Sequence, residues 1–174
     1  TELLDAVAAS GASGSSGDAT VLGHGWDEST WADPTLPSRD EIDRAAGGRQ
    51  VYLSRVDVHS ALVSNSLAAA AGLDGLDGGA AGSQVKRRAH TAARLAARKL
   101  PADTLRAYQQ AALAEAAANG YVALAEMAAP HIGSVEDLRL AAAWNSAPGG
   151  GPDGHAVPEI LPYWGELAAS AEHA

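Results

Sequence analysis

The sequence predicts a helix-rich α/β fold, and three observations carry that prediction. Val51, Tyr52, Leu53 and Val56 form a β-branched and aromatic run behind Gly47-Gly48, which reads as a buried strand. Residues 86–99 and 101–119 are long helical stretches, the second rich in alanine. Short apolar strand candidates at 20–22 and 121–125 alternate with segments that open on helix caps.

Taken in order, residues 1–10 place Leu3, Leu4 and Val7 at helical spacing, with Glu2 and Asp5 near the start of a short helix. Residues 11–17 are a Gly/Ser/Ala tract that reads as a flexible loop. Thr20-Val21-Leu22 is a short strand ending at Gly23-His24-Gly25, and Trp26 to Pro37 reads as irregular. Ser38-Arg39-Asp40-Glu41 is a capping-box pattern, so a helix is expected to Ala46, stopped by Gly47-Gly48.

Beyond the Val51 strand, Ser60 reads as the N-cap of a helix running to Ala71 and ending at Gly72. Residues 73–82 carry two Asp-Gly pairs and favour turns. The two long helices follow, with Pro101 suited to a first helical turn and Gly120 as a stop, and together they suggest an α-hairpin. Tyr121 to Ala125 is a strand candidate, Ser134-Val135-Glu136-Asp137 opens a capped helix, and residues 145–155 form a Pro/Gly loop. Pro158 and Pro162 confine a final strand at 157–163 to a sheet edge.

Composition narrows the function classes. The length of 174 residues allows one domain with a real core. There is no cysteine, so neither disulfides nor thiolate ligands are available. The net charge of −9 argues against a general nucleic-acid binder. Six of the 12 basic residues, Lys86, Arg87, Arg88, Arg94, Arg98 and Lys99, sit on one predicted helix, where a solvated face packed through its alanines is the preferred reading. No apolar run approaches the roughly 20 residues needed to span a bilayer, and no signal peptide is visible. A soluble, cytoplasmic protein is expected, with no membrane partner.

Two groups of residues stand out for chemistry. If the Val51 strand stays extended to His59, then Arg55, Asp57 and His59 point to one face, and Asn65 projects from the helix that follows. An imidazole between a carboxylate and a guanidinium can orient a carbonyl or a leaving amine. The alternative is an Arg55–Asp57 pair with His59 capping the helix. Trp26, Asp27, Glu28 and Trp31 form either an aromatic wall at a pocket mouth or ordinary packing. His24, between two glycines, is either a ligand or a turn residue.

The run Arg55-Val56-Asp57-Val58-His59-Ser60-Ala61-Leu62-Val63, with Asn65 two residues on, resembles the metal-dependent amidohydrolase superfamily, in the amidohydrolase 3 branch that includes N-substituted formamide deformylase. Further matching segments are Gly23-His24-Gly25-Trp26-Asp27-Glu28 with Trp31, residues 70–75, residues 120–130 around Glu126-Met127, and Tyr163-Trp164-Gly165-Glu166-Leu167. They span almost the whole chain in the family's order.

The resemblance implies a TIM-barrel hydrolase, which takes about 250 residues before insertions. The chain is therefore expected to be a fragment or an excised segment: an insertion-like region over 18–119 that shapes the pocket, then a barrel-like strand-helix-strand over 120–167. The complete parent would use a zinc-type divalent metal to hydrolyse an amide-like or formamide-like carbon–nitrogen bond of a small molecule. Glu126 would then stand at a strand end nearest the metal, His59 would join it in catalysis, and Trp26, Trp31, Arg55, Asp57 and Asn65 would line the substrate pocket.

The sequence also departs from the family. Ala125 stands where relatives often have histidine, and His131 where an acidic residue is usual. There is no His-x-His pair, so no metal site of the family type is expected in this chain and it should be silent alone. The rival expectations are a non-catalytic module that binds a small ligand or a partner chain, and a fragment that self-associates through exposed apolar surface for want of the rest of its barrel.

Overall fold

In a computed structural model, residues 2–10, 20–79, 82–130, 132–146 and 157–165 are described. The predicted loop at 11–17 and residues 147–155 of the loop predicted at 145–155, together with His131 and Glu166, lie outside the described residues. Asn145 and Ser146 end a 3-10 turn over Ala143–Ser146 instead of opening that loop. The chain divides into two compact units, Thr1–Lys99 and Leu100–Ala174.

The first unit is built on a four-stranded sheet of order β1-β2-β3-β4. Its strands are β1 (Val21–Trp26), β2 (Val51–Arg55), β3 (Ser60–Val63) and β4 (Gln84–Lys86). β1 runs parallel to β2, and β2-β3 and β3-β4 are antiparallel. The helices are α1 (Glu2–Ser10), α2 (Arg39–Ala46), α3 (Asn65–Ala70) and α4 (Arg87–Ala97).

Alternation along β2 and β3 divides their side chains between two cores. Val51, Leu53 and Leu62 pack with Val7 of α1 and with Ile42 and Ala46 of α2. Tyr52, Ala61 and Val63 pack with Leu67 of α3 and with Ala89, Ala93 and Ala97 of α4. A sheet covered on both faces explains why β2 and β3 read as nearly unbroken apolar runs.

The second unit holds a two-stranded parallel sheet of β5 (Ala123–Ala128) and β6 (Glu159–Trp164). It also contains α5 (Ala102–Ala118) and α6 (Val135–Ala142). Its core groups Leu113, Trp144 and Ile160. The Asn145 side chain pairs with the Ile160 backbone in both directions, donating to its carbonyl at 2.7 Å and accepting from its N–H at 2.8 Å. Pro162 lies in β6, at a sheet edge as expected.

Both capping boxes form, at Ser38/Glu41 and at Ser134/Asp137. Several other expectations are corrected. The extended conformation ends at Arg55, because residues 56–59 turn the chain back into β3, so Arg55, Asp57 and His59 do not alternate along one strand face. Ser60 begins that strand instead of capping a helix; the cap is Ser64, which accepts from Leu67 N–H. Residues 60–63 are fully buried between two partner strands, and those pairings override the helix preference of the alanine and leucine there. The helix expected from Lys86 starts one residue later, behind β4. β1 extends to Trp26, and Glu126 lies within β5 instead of after it. The two long helices fall in different units.

Candidate functional site

β1 forms, along its whole length, one wall of an open cleft of about 790 Å³ in the first unit. At Gly23 a Cβ would stand 2.8 Å from Leu53 Cδ2, so a side chain there would have to displace that methyl group. At Gly25, with φ +90°, the β1–β2 register slips, so that Trp26 rather than Gly25 pairs with Arg55. The slip turns the Trp26 indole inward, where its Nε1–H donates to the Leu53 carbonyl at 2.8 Å. Trp31 follows a short 3-10 turn (Glu28–Thr30) whose cap is Asp27. Its ring centroid lies 6.2 Å from that of Trp26, with the planes tilted by 42°. Leu3 and Val7 of α1 close the opposite side, and Leu22, His24 and Asp33 also line the cleft.

Arg55 supports this wall from outside the cleft lining. Its guanidinium lies 5.8 Å from the Trp26 ring centroid and pairs with Glu28 at 2.9 Å, Asp57 at 3.1 Å and Asp27 at 3.2 Å. All three carboxyls are held below their ordinary values. For Asp27 the main cause is the hydrogen bond from the Ser29 hydroxyl, for Glu28 the bond from Arg55, and for Asp57 the bond from the His59 backbone N–H. Arg55 is raised in turn, chiefly by Glu28.

The residues singled out in the sequence therefore separate. Trp26, Trp31, Arg55 and Asp57 come together, and His59 joins them only through its bonds to Asp57 in an exposed turn. Asn65 begins α3 and faces α2, its amide donating to Asp40 and Asp43 at 2.8 Å each. Glu126 is an exposed residue of β5 in the second unit, in register with Pro162. The cleft residues that sequence reasoning did not assign to a site include Glu2, Leu3, Val7, Leu22 and Asp33. The apolar spacing of Leu3 and Val7 was a signal of burial, but nothing local says which strand that helix covers.

Among the described residues no group of three or more histidine, aspartate or glutamate side chains is placed to hold a metal ion. The donor set described here does not fit the divalent ion that the family usually uses, and no chemical step is routed through one. Among the described residues no helix is long and apolar enough to cross a membrane.

The mixed α/β fold, with small sheets and no closed barrel among the described residues, is similar to part of the fold of metal-dependent hydrolases. Two crystal structures of uncharacterized metal-dependent hydrolases share the fold. One, from Pyrococcus furiosus, has a TM-score of 0.64 and 18% identity over 94% of this chain and 31% of that one. The other, from Pyrococcus horikoshii OT3, has a TM-score of 0.66 and 17% identity over 94% of this chain and 30% of that one. The chain thus spans about three tenths of the length of either, and at these identities the likeness concerns fold alone. No curated protein matches the sequence. The chain belongs to the amidohydrolase family, whose model matches residues 1–145.

Proposed function

We propose that the chain is a segment of a metal-dependent amidohydrolase that hydrolyses a carbon–nitrogen bond other than a peptide bond, in an amide-like or formamide-like small molecule. The family match over residues 1–145 carries this reading. In it, residues 18–119 are the region that shapes the substrate pocket and 120–167 contribute barrel-like elements, with Glu126 nearest the metal and His59 assisting. Trp26 and Trp31 give the pocket an apolar wall, which Arg55, paired with Asp57, braces from outside the lining, while Asn65 ties α3 to α2 and stands apart from it. The metal ligands belong to the remainder of the parent enzyme, a cytoplasmic protein with neither nucleic-acid nor membrane partners, and the segment is silent alone.

The test is the complete parent protein, loaded with zinc and assayed for amine or ammonia release from linear amides, N-substituted formamides and cyclic amides. Turnover of one of these classes by the parent and none by the 174-residue chain is expected. An inactive parent across all three classes refutes the reading, and turnover by the chain alone refutes its silence.

A second reading is favoured by the cleft, which is formed wholly by residues of the first unit: a module that binds a small ligand without catalysis. Such a module would gain thermal stability from ligand in the absence of metal, in proportion to the logarithm of ligand concentration.

A further inference from the structure

The lining of the cleft narrows the chemistry of its occupant. We infer that it binds an organic cation with a compact aromatic or branched apolar body, an inference that rests on the substrate-pocket reading above and names the substrate class for that pocket.

Size comes first. About 790 Å³ lies in the range of small-molecule sites, roughly 300–1,000 Å³. Leu3, Leu22 and the two indoles supply the apolar surface. Trp31 is only partly buried, so ring surface remains for a ligand, whereas Trp26 is buried and already has the Arg55 guanidinium near its ring. An indole face attracts a cation more strongly than any other side-chain ring.

Charge decides between ligand classes. Glu2 and Asp33 line the cleft, and no lysine or arginine does so among the described residues. Just outside, Asp27, Glu28 and Asp57 confront the single guanidinium of Arg55, which leaves this neighbourhood net negative. Asp33 accepts a 2.9 Å hydrogen bond from Thr35 N–H, and the Thr35 hydroxyl first, with this N–H second, holds its carboxyl below the ordinary value. An anion entering the cleft would meet two carboxylates. A neutral apolar molecule would gain nothing from them, whereas a cation gains from both carboxylates and from the indole.

The test is isothermal titration of the 174-residue chain with three probes of matched shape: phenyltrimethylammonium, its neutral isostere tert-butylbenzene, and the anion benzenesulfonate. The cation is expected to bind about tenfold more tightly than the isostere, and the anion more weakly than either. Asp33→Asn combined with Glu2→Gln keeps the shape and should reduce the cation to the level of the isostere. Trp31→Phe should weaken the cation more than the isostere, and circular dichroism confirms that each variant folds. Equal affinity for cation and isostere, or no measurable binding of the cation at millimolar concentration, overturns the proposal.

The complete enzyme separates this from the wider reading. Amide hydrolysis by the parent with no preference for cationic substrates overturns the inference and leaves the hydrolase. Selective binding of the cation by the chain, beside an inactive parent, supports the inference and removes the hydrolase.

Discussion

Tyr52 Oη and His90 Nε2 meet at 2.8 Å in the core between β2 and α4, with ring centroids 6.0 Å apart and planes 17° from parallel. Burial pushes the imidazole from its ordinary 6.5 to about 4, with Arg94, His59 and Arg98 adding to the shift and Asp57 opposing it. His90 therefore stays neutral in the folded chain at pH values where the unfolded chain protonates it. As pH falls from 6.5 towards 4 the unfolded state binds the extra proton, so stability falls through that window. The loss is on the order of 3 kcal/mol. Urea denaturation at stepped pH should show this slope in the native chain and a shallower one in His90→Gln. Parallel slopes would remove His90 as the cause.

The Arg55 network separates the causes of three lowered pKa values. Glu28 is held down mainly by Arg55 itself, whereas Asp27 and Asp57 depend first on Ser29 and on the His59 N–H. Arg55→Gln should therefore raise the Glu28 pKa more than that of either aspartate, as read by carboxyl-detected NMR titration. A depressed carboxyl stabilises the fold above its unfolded value and loses that contribution as pH falls through its folded value. The variant should thus show a flatter acid limb of stability than the native chain, and an unchanged limb would mean that Arg55 contributes nothing through Glu28.

Features confined to a few residues were legible in the sequence. Ser38/Glu41 and Ser134/Asp137 need only a three-residue spacing to cap a helix, and both do so. β3 was not legible, because Ala61 and Leu62 favour a helix locally and are held extended by pairing with Ser54 and Leu53 on one side and Val85 and Gln84 on the other. Asn65 was expected in the first turns of a helix and stands there, but its partners Asp40 and Asp43 lie more than 20 residues away. The cleft needed α1 and Trp31 to converge on β1, and that convergence is tertiary. Trp26 and Trp31 were visible as a pair, but the bulge at Gly25 that turns Trp26 inward was not.

Backbone geometry makes Gly78 irreplaceable in a way that Gly75 is not. Both have positive φ, +83° and +77°, but a Cβ on Gly78 would fall 2.0 Å from the Lys86 carbonyl oxygen, while one on Gly75 would meet nothing within 4 Å. Gly75→Ala should cost roughly 1 kcal/mol from the left-handed conformation alone. Gly78→Ala must also push β4 away from the 73–79 loop, where Lys86 N–H donates to the Gly78 carbonyl at 3.0 Å. Its cost should exceed about 3 kcal/mol. Comparable denaturation midpoints for the two variants would contradict the packing of β4 against this loop.

Ser64 joins two elements through one buried hydroxyl. Its Oγ accepts from Val51 N–H at 2.9 Å, at the start of β2, and from Leu67 N–H at 3.2 Å, as the cap of α3, and the residue is 0% exposed. Ser64→Ala removes the acceptor for both donors at once. The cap alone accounts for about 1 kcal/mol, and leaving the Val51 N–H buried without a partner adds roughly 1–3 kcal/mol. Ser64→Thr keeps the acceptor but places a methyl group in a fully buried site, so it should fall between Ser64→Ala and the native chain only if neighbouring residues can move. Because Val51 lies in the core beside α2 and Leu67 in the core beside α4, the loss should loosen both faces of the sheet. Amide exchange should accelerate at Val51 and Leu67 together; acceleration at Leu67 alone would show that Ser64 caps the helix without holding the strand.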